Sequence, residues 1–199
     1  GKSAFGPGIK AGGPNYVVPL MQFATTRELS NEADQSESEP PVAPELPALS
    51  AFWQHLHHDS SAAKSVRDAM PPEQWDALLR AIADYDRFAV SEIRQQHDTV
   101  RLVGQDNIRR YQPMTHVRIR VAQADSWLEI FARAAAVIAV GGRATISRTP
   151  GLQSAPVEAL EQLSTEWAAD MEFVEETEED LAELIAAGQV DRVRYTCNV

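Results

Sequence analysis

From residue 116 to the last residue, short β-branched stretches alternate with helix-length segments, and this alternation limits the available folds more than any other feature of the chain. "HVRIRVA" (116–122) alternates apolar and charged residues in the manner of a strand. "ADSWLEIFARAAAVIAVGG" (124–142) then reads as a helix closed by Gly141 and Gly142, and "RATISRT" (143–149) as a second strand. "APVEALEQLSTEWAA" (155–169) is a second helix, "DMEFVEE" (170–176) a third strand, and "TEEDLAELIAAG" (177–188) a third helix ending at Gly188. "VDRVRYTCNV" (190–199) is the fourth strand. Thr177 followed by Asp180 fits an N-cap with an acidic third position. Strands joined by helices of this length need crossover connections, which are right-handed and generate a mostly parallel sheet with helices on both faces.

The expected fold class is therefore α/β, a Rossmann-like sheet over 99–199. A helical segment over 48–98 precedes it. There Trp75, Leu78, Leu79, Ile82, Tyr85, Phe88, Ala89 and Ile93 recur at three- and four-residue steps and define one buried stripe, with Pro71 and Pro72 at its start. Residues 27–47, "RELSNEADQSESEPPVAPELP", hold acids, serines and four prolines and little to bury, so a disordered linker is expected. Residues 1–26 comprise the Gly/Pro-rich "GPGIKAGGPNY" and "YVVPLMQFAT", which has the content of a short edge strand interrupted by Pro19.

Charge narrows the function classes. The chain of 199 residues carries a formal charge of −11, and from Thr149 to Asp191 it has no Lys or Arg, which argues against a phosphate backbone as partner. "EETEED" (175–180) reads as a solvated acidic helix start, without the glycine and alternating oxygen ligands of an EF-hand. His55 and His58 share a helical face while His57 does not, and no third ligand accompanies them, so no metal is expected. The longest apolar run, "FARAAAVIAVGG", is too short to span a bilayer, and no charged-then-apolar leader opens the chain. With Cys197 as the single cysteine, a cytoplasmic location is expected.

"GKSAFGPGIKAGGPNYV" (1–17) resembles the end of the catalytic domain of L-glutamate γ-semialdehyde (1-pyrroline-5-carboxylate) dehydrogenases, where an "SG-x-G-x-KAGGP-x-Y" pattern closes the aldehyde dehydrogenase fold. The remainder resembles the carboxy-terminal extension of long bacterial forms of that enzyme, including the bifunctional proline utilisation A proteins. Within it, "GQDNIRRYQP" (104–113) is similar to a recurring "GE-x-N-x-x-RYRP" element. The resemblance implies a carboxy-terminal fragment of an NAD-dependent oxidoreductase of proline catabolism, itself truncated at its carboxyl end. Gly1 and Lys2 match the anchor loop whose backbone amides hold the substrate carboxylate, a role consistent with an amide nest.

Catalysis in that family needs a cysteine nucleophile, a glutamate base and a complete NAD site. Cys197 lacks the nucleophile's context, so the resemblance implies no catalytic residue and no cofactor in this stretch, with NAD belonging to the whole enzyme. "AAAVIAVGGRATISRTP" and "LIAAGQVDRVRYTCNV" are similar to a degenerate copy of the aldehyde dehydrogenase cofactor domain. Arg148 stands where that domain has its ribose-binding lysine, and Cys197 and Asn198 replace a glycine and a serine near the pyrophosphate. The expected partner is the catalytic domain of the same protein, with a homo-oligomer as a further class. Two functions follow: a non-catalytic module that covers the active site or stabilises assembly, or a regulatory module that holds a nucleotide with Arg148 as its phosphate contact.

Overall fold

The computed structural model describes residues 41–98, 103–104, 108–167 and 170–195. Gly1, Lys2, the Gly/Pro loop, the strand expected over 16–26, most of the linker, Cys197 and Asn198 lie outside the described residues.

Residues from 41 onward form one compact unit. Three helices come first: α1 (Pro47–His57), α2 (Ser61–Ala69) and α3 (Pro72–Phe88). α1 buries Leu49, Phe52 and Leu56, which recur on one face. Its N-cap position, Leu46, has no capping side chain. The Asp86 carboxylate of α3 instead holds the chain entering the helix, accepting from the Leu46 amide at 2.8 Å and the Glu45 amide at 3.0 Å. α2 is capped by the Ser60 hydroxyl, which accepts from the Ala63 amide. α3 has Pro72 in its first turn and buries Leu78, Leu79 and Ile82.

A single π-helical turn, Ala89–Ile93, extends α3 and buries Ala89. Trp75, Tyr85 and Ile93 are half-buried members of the expected stripe. Phe88 departs from the stripe and is 58 % exposed. At 3.6 residues per turn it stands about 100° from the line through Leu78, Ile82 and Ala89, which puts it on the solvent edge.

A two-stranded antiparallel ribbon follows, β1 (His97–Asp98) with β2 (Ile108–Arg109). The main sheet is formed by β3 (Val117–Arg120), β4 (Ala144–Arg148), β5 (Met171–Glu175) and β6 (Arg192–Arg194), with α4 (Trp127–Ala139), α5 (Ala155–Ser164) and α6 (Glu178–Ala186) as the crossovers. All four strands are parallel, in the spatial order β5-β4-β3-β6. Counted from β3, this is the order 3-2-1-4, so the connections step outward twice and then reverse across β3. The α/β expectation is met in its coarse form: a four-stranded parallel sheet flanked by helices.

The helix ends follow the sequence signals. Ser126 and Glu129 form a capping box at the start of α4, and Thr177 and Asp180 form the expected one at the start of α6. Gly141 takes φ +71° beyond α4, a left-handed conformation that suits glycine. At Gly142 the constraint is steric, because a Cβ would lie 2.8 Å from the Met114 carbonyl oxygen.

The two faces of the sheet differ. Val117, Ile119, Val121, Ala144 and Ile146 are buried on the side of α4 and α5. They share a core with Leu49, Phe52, Val66, Leu78 and Ile82 of α1–α3, so the first three helices form an outer layer over α4 and α5. Phe131 of α4 stands at the junction, its ring 6.3 Å from Phe52 and 6.0 Å from Trp127. The opposite face presents Arg118, Arg120, Thr145 and Ser147 toward α6.

Candidate functional site

In an open parallel sheet, ligands bind beyond the carboxyl ends of the strands where the connections reverse direction. Here that point lies between β3 and β6, and its floor is the turn from β3 into α4. In nucleotide-binding sheets such a turn is glycine-rich and leaves helix amides free for phosphate.

This turn, 121–126, reads "VAQADS", and the amides of Val121, Ala122, Asp125 and Ser126 are engaged within the protein. Asp125 Oδ2 accepts from the Ala122 amide at 2.8 Å, with its side chain fully buried and 3.2 Å from Arg133 Nη1. Glu129 Oε2 accepts from the Ser126 amide and hydroxyl, both at 2.8 Å, while the Ser126 hydroxyl accepts from the Glu129 amide. Gln74 of α3 takes the Leu128 amide. A pyrophosphate at this helix start would meet two carboxylates and no glycine amide.

Arg148 stands at the carboxyl end of β4, on the far side of β3 from the reversal point. Its side chain is about three-quarters buried, and Nη2 lies 3.1 Å from Oε1 of Glu175, its register partner on β5. Beside it is a cavity of about 60 Å³ lined by Ile146, Val157 and Phe173, room for a few waters.

His55 and His58, expected on one face, lie with their rings 6.3 Å apart, while His57 turns to other partners. His55 stacks on Trp167 at 5.0 Å and its Nδ1 lies 3.5 Å from Glu166. His57 stacks on Trp53, with Nδ1 2.8 Å from the Trp53 carbonyl. Among the described residues no group of three His, Cys, Asp or Glu is arranged to hold a metal ion. An open cleft of about 430 Å³ lies between α2 and α5, bordered by Ser61, Glu158, Glu161, Gln162 and Glu166. No helix among the described residues is long and apolar enough to cross a membrane.

The densest polar cluster is one that sequence reasoning missed. Arg120, only 7 % exposed, donates from Nη1 to Ser147 Oγ and the Glu176 carbonyl, and from Nη2 to Thr149 Oγ1. Its Nε and Nη2 both reach Glu178 Oε1, at 3.0 and 2.6 Å. Ser147 in turn donates to Glu176 Oε1, and Arg118 lies 3.5 Å from Glu176 Oε2. The signal was the two arginines of "HVRIRVA", whose strand spacing puts both on one face.

At the opposite end of the sheet, Asp191 ties the start of β6 to the start of β3. Its Oδ2 accepts from the His116 amide, the Thr115 amide and the Thr115 hydroxyl, and the His116 bond leads in holding its carboxyl below the usual aspartate range. A carboxylate depressed in this way contributes stability above its unfolded-state pKa and loses it as pH falls through the lower folded value. Asp191→Ala is therefore expected to destabilise the protein at pH 7, with the difference from wild type shrinking as the solution is acidified below the usual aspartate range. Thermal melts across an acid pH series check this; a difference that stays constant with pH would contradict it.

Compared with protein-family models, with curated proteins and with solved structures, the chain matches none.

Proposed function

We propose that the chain is a non-catalytic module of an NAD-dependent L-glutamate γ-semialdehyde dehydrogenase, serving to cover the catalytic site or stabilise the assembly. The identity of the enzyme rests on the resemblance of residues 1–17 and 104–113 to that family. The observation that carries the non-catalytic reading is the turn from β3 to α4. In a sheet whose strand order suits a nucleotide, Asp125 and Glu129 occupy the helix start that would receive phosphate. A fold whose ligand position is filled by its own carboxylates retains its packing surfaces, which suits a docking and covering role. The same features support reading the sheet as a degenerate aldehyde dehydrogenase cofactor domain.

The second reading, a regulatory nucleotide-binding module, draws on the same strand order and on Arg148 at a strand's carboxyl end. Here Arg148 would have to exchange Glu175 for a phosphate or ribose. Calorimetric titration of the chain with NAD, carried into the millimolar range, separates the two. Heats no larger than dilution are expected. Saturable binding that Arg148→Ala abolishes would overturn the non-catalytic reading in favour of a nucleotide sensor.

A further inference from the structure

α6 is attached to the sheet differently from the other crossovers. α4 buries Ile130, Phe131, Ala134, Ala135, Val137 and Ala139, whereas α6 buries Leu181 alone, and Ile185 is 48 % exposed. The two central strands offer α6 no apolar side chain in return, since β3 and β4 present Arg118, Arg120, Thr145 and Ser147 there, and the outer strands add only the half-buried Val174 and Val193 in register with Ser147 and Arg118. Hydrophobic attachment scales with the apolar area removed from water, so α6 gains little from it.

Polar groups supply the rest. The buried Arg120 guanidinium grips Glu178, in the first turn of α6, through two donors. Glu178 itself is 72 % exposed along its side chain, so water and salt have access to one half of the pair. The helix is internally well made, with its Thr177–Asp180 capping box and three acids in the first turn. Its flanks are pinned independently, by Ser147 on Glu176 at one end and by Asp191 on Thr115 and His116 at the other. A well-formed helix between two anchored ends, held by one solvent-accessible ion pair, the buried Leu181 and the half-buried Leu184, can leave its seat without disturbing either anchor.

We infer that α6 is a hinged flap, latched to the sheet by the Arg120–Glu178 pair, which opens while the core of α1–α5 stays folded. Opening bares an arginine face. Arg120 loses Glu178, and Arg118 becomes reachable; its Nε and Nη1 are buried without a hydrogen-bond partner in the closed form, where it keeps only the 3.5 Å ion pair with Glu176. The inference concerns the latch and stands apart from the identity of the parent enzyme.

Hydrogen–deuterium exchange on the full chain tests it, comparing wild type with Glu178→Gln, a surface substitution that leaves the core intact. Off the sheet a nine-residue helix is marginal in water and frays, so amides 181–188 are expected to exchange through the opening, faster than those of 130–139 in wild type. Glu178→Gln should accelerate the former roughly tenfold and leave the latter unchanged. Arg120→Lys, which keeps the charge and loses the fork, should act in the same direction. About 0.5 M NaCl should reproduce part of the effect in wild type and add little in Glu178→Gln. The inference is overturned if 181–188 exchanges no faster than 130–139 in wild type, if Glu178→Gln leaves 181–188 unchanged, or if it accelerates both segments together.

Discussion

Phe131→Ala is expected to lower the unfolding free energy by about 3–5 kcal/mol, the range for removing a fully buried phenylalanine. The ring has no exposed surface and contacts both Phe52 of α1 and Trp127 of its own helix. Its loss thus opens a cavity between the outer helical layer and the layer that lies on the sheet. Domains of this size are typically stable by only about 5–15 kcal/mol, so the variant should shift the urea midpoint far toward zero. Phe131→Leu should recover most of the loss, leaving about 1–1.5 kcal/mol, because it refills most of the volume.

The same variant tests the layering. Far-ultraviolet circular dichroism follows all the helices, while tryptophan fluorescence reports on Trp53 and Trp75 in the outer layer and Trp127 and Trp167 beneath it. With a common core, both signals should move together to the lower midpoint. A fluorescence change in two steps, with helical signal remaining after the first, would mean that α1–α3 and the sheet layer unfold independently.

The alternation of strands and helices was readable because it depends on local periodicity. The segments 116–122, 143–149, 170–176 and 190–199 each contain a strand of the parallel sheet, and Gly141, Gly188 and the Thr177–Asp180 box mark helix ends where their chemistry requires. The ribbon of His97–Asp98 with Ile108–Arg109 was not readable, since two-residue strands carry no alternation. The pairing of Arg148 with Glu175 also escaped, because it depends on the register between β4 and β5 and neither residue announces the other. The polar face under α6 escaped for a related reason. A strand reading tells which residues share a face, whereas the depth to which Arg120 is buried depends on a helix that starts 58 residues from it.

Asp86 presents the same limit in its sharpest form, and its removal should be costly. As an acid on a helix it reads as surface, yet it is 7 % exposed and accepts two amide hydrogens from residues 40 and 41 positions away. Those amides stand at the entry to α1, where helix donors have no partner within the helix and Leu46 offers no side-chain cap. Asp86→Ala leaves both donors without an acceptor and removes two hydrogen bonds to a charged group, a loss on the order of 3 kcal/mol. Asp86→Asn keeps one carbonyl oxygen and should lose about half as much, since only one of the two amides can then be satisfied. Urea unfolding of the three proteins measures the series, and hydrogen exchange at 47–52 shows where it acts. If Asp86→Ala proves as stable as wild type, α1 draws its cap from water and the carboxylate is incidental. A graded loss across the three, with exchange raised first in the opening turn of α1, would mean that one side chain of α3 sets where α1 begins.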